Sequence, residues 1–195
     1  MMTKFNSLAR IFLIQSTFMF VAMMSFSQNS SKKIYHTEKL VNSSSIIIDG
    51  YLNDSSWELV PWGNDFIEVY PDENTSPTEK TKFKILYDEK YIYIALLALD
   101  SDPSTITNRL SRRDGFEGDR INVLIDSYHD LRTAFLFTVT AAGVRGDEII
   151  TNNGDDIDDS WNPIWITKAK IISNGWSAEM KIPLSQLRFG DSGEQ

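Results

Sequence analysis

Carboxylates are the most plentiful chemically active groups in this chain, with 27 Asp and Glu residues against 19 Lys and Arg. Their densest run is Asn152-Asn153-Gly154-Asp155-Asp156-Ile157-Asp158-Asp159. Oxygen ligands crowded into one loop suit Ca²⁺, which takes about six to eight of them. Asp155, Asp156, Asp158 and Asp159 are therefore candidate metal ligands, since a cation would relieve the repulsion among four close carboxylates. The spacing is not that of an EF-hand, and a solvated acidic loop is the other reading. A carboxylate pair could also hydrolyse a glycoside, but only at a fixed separation across a cleft, which spacing along the chain does not give. The two histidines, His36 and His129, have no evident orienting partner. The absence of cysteine excludes disulfides, thiolate metal sites and cysteine nucleophiles. No zinc motif, phosphate loop, dinucleotide fingerprint or nucleophile elbow is present. No catalytic residue is assigned.

Aromatic residues are the second resource. Of the five tryptophans, Trp176 falls on the apolar side of a strand and Trp57 on a short amphipathic turn, both positions that suit a core. Trp161 follows the acidic run after Ser160, where an exposed ring could stack on a ligand. Phe116 sits in the glycine-flanked stretch Asp114-Gly115-Phe116-Glu117-Gly118. It either caps the end of a core or presents its ring to a ligand. Asn122 follows on a strand, out of phase with Ile121, Val123 and Ile125, so its amide faces away from them.

The elements that must position these residues read as strands. Phe83, Ile85 and Tyr87 alternate with Lys82, Lys84 and Leu86 at period two. Residues 91–99 (YIYIALLAL) are apolar on both faces, as in a central strand. Residues 121–125, 134–139, 164–172 and 176–182 are further strands, the last two joined through Asn174-Gly175 as a tight hairpin. Short helical turns are expected at 55–60 and 183–187. Many short strands without a long helical period predict an all-β antiparallel sandwich, jelly-roll-like in arrangement.

Residues 1–27 carry Lys4, Arg10 and no acid, then apolar runs, then Ser25-Phe26-Ser27. This is the pattern of a secretory signal peptide cut before Gln28. The apolar run is short of the about 20 residues a membrane span needs. Residues 28–45 are polar and read as a linker, and 46–195 as the domain. The whole chain has a net charge of −8, and removing the leader makes the remainder more acidic still. Such a domain is a poor partner for nucleic acid or anionic membranes.

Four stretches, in order, resemble family 9 carbohydrate-binding modules. They are Ile48-Asp49-Gly50-Tyr51-Leu52-Asn53-Asp54-Ser55-Ser56-Trp57, Tyr87-Asp88-Glu89-Lys90-Tyr91-Ile92-Tyr93, Asp119-Arg120-Ile121-Asn122-Val123-Leu124-Ile125-Asp126, and Gly175-Trp176-Ser177-Ala178-Glu179-Met180-Lys181-Ile182-Pro183. Arg112-Arg113-Asp114-Gly115, Tyr128-His129-Asp130-Leu131-Arg132-Thr133 and Leu187-Arg188-Phe189 are similar to a Bacteroidetes subgroup in which the module precedes an outer-membrane barrel-like region. The resemblance implies a sandwich that grips the ends of oligo- or polysaccharides, with structural Ca²⁺ in some members. It implies a link to polysaccharide-degrading enzymes, in which this chain would be at most an accessory module. It places Phe116 where the family has a sugar-stacking tryptophan, Asn122 where it has a Glu, Thr138 where it has an Arg, and Thr140 where it has an Asn. A second stacking tryptophan and a closing strand would fall after Gln195. The expected function is carbohydrate binding by a module exported to the periplasm or outer membrane. The rival is an assembly domain of an outer-membrane barrel protein with no sugar site. Expressed in a Gram-negative host, the chain should be cut between Ser27 and Gln28. Mass spectrometry of the N-terminus reads the cut directly, and an intact Met1 on envelope-recovered protein would refute it.

Overall fold

The structure is a computed structural model that describes residues 33–41 and 46–190. The proposed leader, 1–27, lies outside the described residues, as do parts of the linker. The compact unit begins at Tyr35.

Among the described residues nine strands form two sheets. They are β1 (Glu38–Lys39), β2 (Thr81–Tyr87), β3 (Tyr91–Leu99), β4 (Arg120–Ile125), β5 (Ala134–Thr140), β6 (Arg145–Thr151), β7 (Asp156–Asp158), β8 (Ile166–Ile172) and β9 (Gly175–Pro183). One sheet runs β1-β2-β3-β9-β8 and the other β4-β5-β6-β7. Every pairing is antiparallel except β1 with β2. The expected all-β antiparallel sandwich is therefore the fold. Two differences stand out. The stretch read as linker contributes β1, and Leu40 beside it is buried, so the domain starts before residue 46. The turn between β8 and β9 is Ser173-Asn174, while Gly175 already pairs with Ile172. The glycine is needed instead for close approach, because a Cβ there would stand 2.0 Å from the Ala98 carbonyl oxygen.

The main core lies between the sheets. Ile94 and Leu96 of β3 and Trp176, Ala178, Met180 and Ile182 of β9 face Phe135, Phe137 and Val139 of β5. Alternation sends Tyr93, Ala95 and Glu179 to the opposite face. There a second core of Leu40, Ile46, Trp57, Val60, Leu86, Tyr93 and Ala95 forms beneath the N-terminal segment. This explains why β3 is apolar on both sides, since both of its faces are covered.

The N-terminal segment is held by a buried carboxylate. Glu179, wholly inaccessible to solvent, accepts hydrogen bonds from the backbone N–H of Asp49 (3.0 Å) and Gly50 (2.9 Å) and from the Trp57 indole (3.0 Å). The Asp49 side chain caps the Tyr51 N–H, and Ser177 Oγ donates to the Gly50 carbonyl. From the other side, Lys84 Nζ donates to the Trp57 carbonyl at 2.5 Å. At the β2–β3 turn, Asp88 accepts from Lys90 N, Tyr91 N and the Tyr93 hydroxyl.

Burial pushes the Glu179 carboxyl above the usual carboxylate range, against the opposing pull of the N–H groups of Gly50, Trp57 and Asp49. A carboxylate whose folded pKa is raised ionises first in the unfolded chain. Its contribution to stability is therefore full below its unfolded value and declines as pH rises through the folded one. Glu179→Gln would set an amide NH₂ against N–H donors and should destabilise by about 1–3 kcal/mol. Urea unfolding of parent and variant across pH 4 to 7 checks both effects. The stability gap should be widest at the acid end, and a gap that widens toward neutrality would contradict the assignment.

Candidate functional site

The outer face of the four-stranded sheet is where most of the sequence-derived site residues meet. Asn122 of β4 lies opposite Thr138 of β5, which lies opposite Gly146 of β6. Residues directly opposite share a face, so these three form one row. Thr138 Oγ1 donates to Asn122 Oδ1 at 2.9 Å. Phe116 closes the row, since a Cβ on Gly146 would lie 2.1 Å from the tip of its ring. Glycine at 146 is thus what lets the ring lie against the sheet. Thr140, one step along β5, pairs with Arg120, and its hydroxyl accepts from Val144 N at 3.0 Å.

Exposure divides these residues. Thr138 and Thr140 are almost entirely buried, at 1% and 0% accessible, and form the floor. Phe116 is half-buried, while Asn122 and Arg120 are exposed. The Arg120 guanidinium stands 5.2 Å from the Phe116 ring centroid. Arg120 was missed from sequence, although its place two residues before Asn122 puts it on the same face by period two. The reachable groups are therefore a partly open phenyl ring, a neutral amide that both donates and accepts, and a planar cation rich in donors.

The loop bearing Phe116 is pinned at the free edge of β6. Asp114 N donates to the Arg145 carbonyl at 3.2 Å, and Asp147 N donates to Asp114 Oδ1 at 3.3 Å. Arg113 Nη2 reaches both oxygens of Asp147, at 2.6 and 2.7 Å. Asp147 faces inward, 1% accessible, and also accepts the Trp165 indole N–H at 2.7 Å. The loop thus sends Arg113 to the inner side of the sheet and Phe116 to the outer side. Asp147 and Trp165 carry no motif that would single them out in the sequence.

The other expected site residues lie elsewhere. Trp161 packs inward on Phe135 (5.1 Å between ring centroids) and Phe137 (5.6 Å), away from the Phe116 row. Asp155, Asp156, Asp158 and Asp159 do not converge. Asp156 and Asp158 lie on the short edge strand β7, all four are exposed, and Asp158 accepts from the backbone and hydroxyl of Ser160. Among the described residues no three acidic or histidine side chains are placed to hold a metal ion. His36 is exposed, and His129 is an exposed turn residue with positive φ.

Comparison with known proteins agrees with this architecture. A family 9 carbohydrate-binding module from Caldicellulosiruptor kristjanssonii in complex with glucose superposes with a TM-score of 0.55 at 20% identity, over 83% of this chain and 73% of that one. The module from the same organism with cellotriose gives a TM-score of 0.54 at 21% identity, over 79% and 68%. A Bacteroides uniformis protein proposed to bind carbohydrate gives 0.59 at 13% identity, over 82% and 77%. No curated protein matches the chain. The sequence model described as carbohydrate family 9 binding domain-like matches residues 48–195, and with most of its length matched the chain belongs to that family.

Proposed function

We propose that the outer face of β4–β7 binds the end of a neutral oligosaccharide, with Phe116 as the stacking surface and Arg120 and Asn122 as hydrogen-bonding neighbours. The observation that carries this reading is the Asn122–Thr138–Gly146 row closed by the Phe116 ring. A pyranose presents an apolar C–H face and a rim of hydroxyls. A phenyl ring flanked by a neutral amide and a guanidinium matches both. Arg120 supplies the cationic donor that the resemblance would otherwise put at Thr138. Membership of the carbohydrate family 9 binding domain-like family supports the ligand class, as do the glucose and cellotriose bound by the Caldicellulosiruptor modules.

The protein is exported to the periplasm or outer membrane, where the module positions a larger polysaccharide-processing or membrane protein on its glycan. The support is the basic, apolar, small-residue pattern of residues 1–27. A pure assembly role calls for a broad apolar face. The outer face instead carries Arg120, Asn122 and Glu148 alongside the exposed Leu124 and Ile157.

Calorimetric titration with cello- and xylo-oligosaccharides tests the site. Phe116→Ala should weaken binding by roughly 1–3 kcal/mol, as for a stacked anchor, and Arg120→Ala should weaken it in the same direction. Gly146→Ala should also weaken it, by lifting the flexible ring off the sheet, with little change in melting temperature. Binding that survives all three substitutions would place the sugar elsewhere.

A further inference from the structure

A second concave site lies on the other sheet, at the free edge of β2. A cleft of about 330 Å³ opens there, lined by Asn64, Phe66, Ser76, Lys80, Thr81 and Lys82 among others. That volume falls in the range of small-molecule sites, ~300–1,000 Å³. Gly63 exchanges backbone hydrogen bonds with Phe83 (2.8 and 2.9 Å), while the Lys80 carbonyl accepts from Leu99 N on the β3 side. Backbone groups alternate along a ladder, so Thr81 turns its N–H and C=O toward the edge that bounds the cleft. Among the described residues no strand pairs with that edge at Thr81. Phe66 forms a wall, 47% accessible, with its ring edge-on to Phe83 at 5.9 Å. Lys80 and Lys82 have no carboxylate partner among the described residues.

We propose that this cleft binds a saccharide unit bearing a carboxylate, a uronic acid, independently of the Phe116 face. Two lysines against the single carboxylate of Asp65 leave the lining net positive in a chain of net charge −8, which favours an anionic group. Lysine engages a carboxylate as a point charge that needs no fixed fork geometry. The Phe66 ring offers an apolar surface that a bare inorganic anion would leave unused. Asn64, Ser76 and the Thr81 backbone provide donors and acceptors for hydroxyls, and Asp65, the one acid in the lining, can accept from a hydroxyl. An extended peptide fits less well. Strand addition needs a run of open edge, and here Gly63 closes the edge again at Phe83.

The test compares digalacturonate with neutral galactobiose, titrated into the isotope-labelled protein and followed by amide chemical shifts. Digalacturonate should bind about tenfold tighter and move the signals of residues 64–66 and 80–82. The double variant K80Q/K82Q, with an unchanged melting temperature, should remove that preference, and Phe66→Ala should weaken both ligands. Phe116→Ala should leave digalacturonate binding intact, which separates this site from the neutral-sugar site. The proposal is overturned if the two disaccharides bind equally, or if neither binds at millimolar concentration. It is overturned equally if the preference survives in K80Q/K82Q, if acetate or inorganic phosphate competes as well as digalacturonate, or if Phe116→Ala abolishes binding.

Discussion

The sandwich depends on the way Trp57 is held between two buried charges. Its indole N–H donates to Glu179 and its carbonyl accepts from Lys84, both of which are nearly inaccessible to solvent. Neither charge is cheap to bury, and such groups often add little net stability while fixing one arrangement over others. Here the arrangement is the docking of the N-terminal segment on the outer face of β3 and β9. Without that layer, Tyr93 and Ala95 would face water on the strand that also carries Ile94 and Leu96 into the main core. The outer layer therefore lets the central strand be apolar throughout, and β3 in turn pairs with both β2 and β9.

The same chemistry recurs on the other sheet. Asp147 accepts the Trp165 indole as Glu179 accepts that of Trp57, and each carboxylate also fastens a segment that crosses a sheet edge or face. In one case the fastened segment completes the core. In the other, through Arg113 and Asp114, it delivers Phe116 to the outer face. A surface ring is useful to a ligand only where it is held, and the holding is done by groups on the opposite side of the sheet.

Period-two patterning made β2, β3, β4, β5, β8 and β9 legible, because each alternates or is apolar on both sides. Strands β6 and β7 were not legible. Gly146 and Asp147 stand in β6 where an alternating strand would carry side chains of matching polarity, and β7 is an Asp-Ile-Asp triplet inside an acidic run. Both are strands through their partners, as sheet propensity is largely a matter of context. The grouping of Phe116, Asn122, Thr138 and Thr140 on one face could be anticipated from family positions. That Thr138 and Thr140 are floor and Arg120 is rim could not, because burial depends on where the Phe116 loop lies. The inward turn of Trp161 was equally invisible, since a loop residue has no period from which to read its side.

The order of the strands has a consequence for how the molecule tolerates change. The sheet that bears Phe116 is one uninterrupted stretch of chain, β4 to β7, inserted between β3 and β8, and its strands follow one another as a meander. The pairing of β3 with β9, from Tyr91 opposite Pro183 to Leu99 opposite Gly175, closes a loop around that whole stretch. The entropic cost of closing a loop grows only with the logarithm of its length, about 0.6 kcal/mol for each doubling. Lengthening or exchanging the connections within β4–β7 therefore burdens the β3–β9 seam very little. The proposed recognition face and the scaffold are separable along the chain, so that face can be remodelled by insertion while the Trp57-pinned sheet that closes around it stays the same.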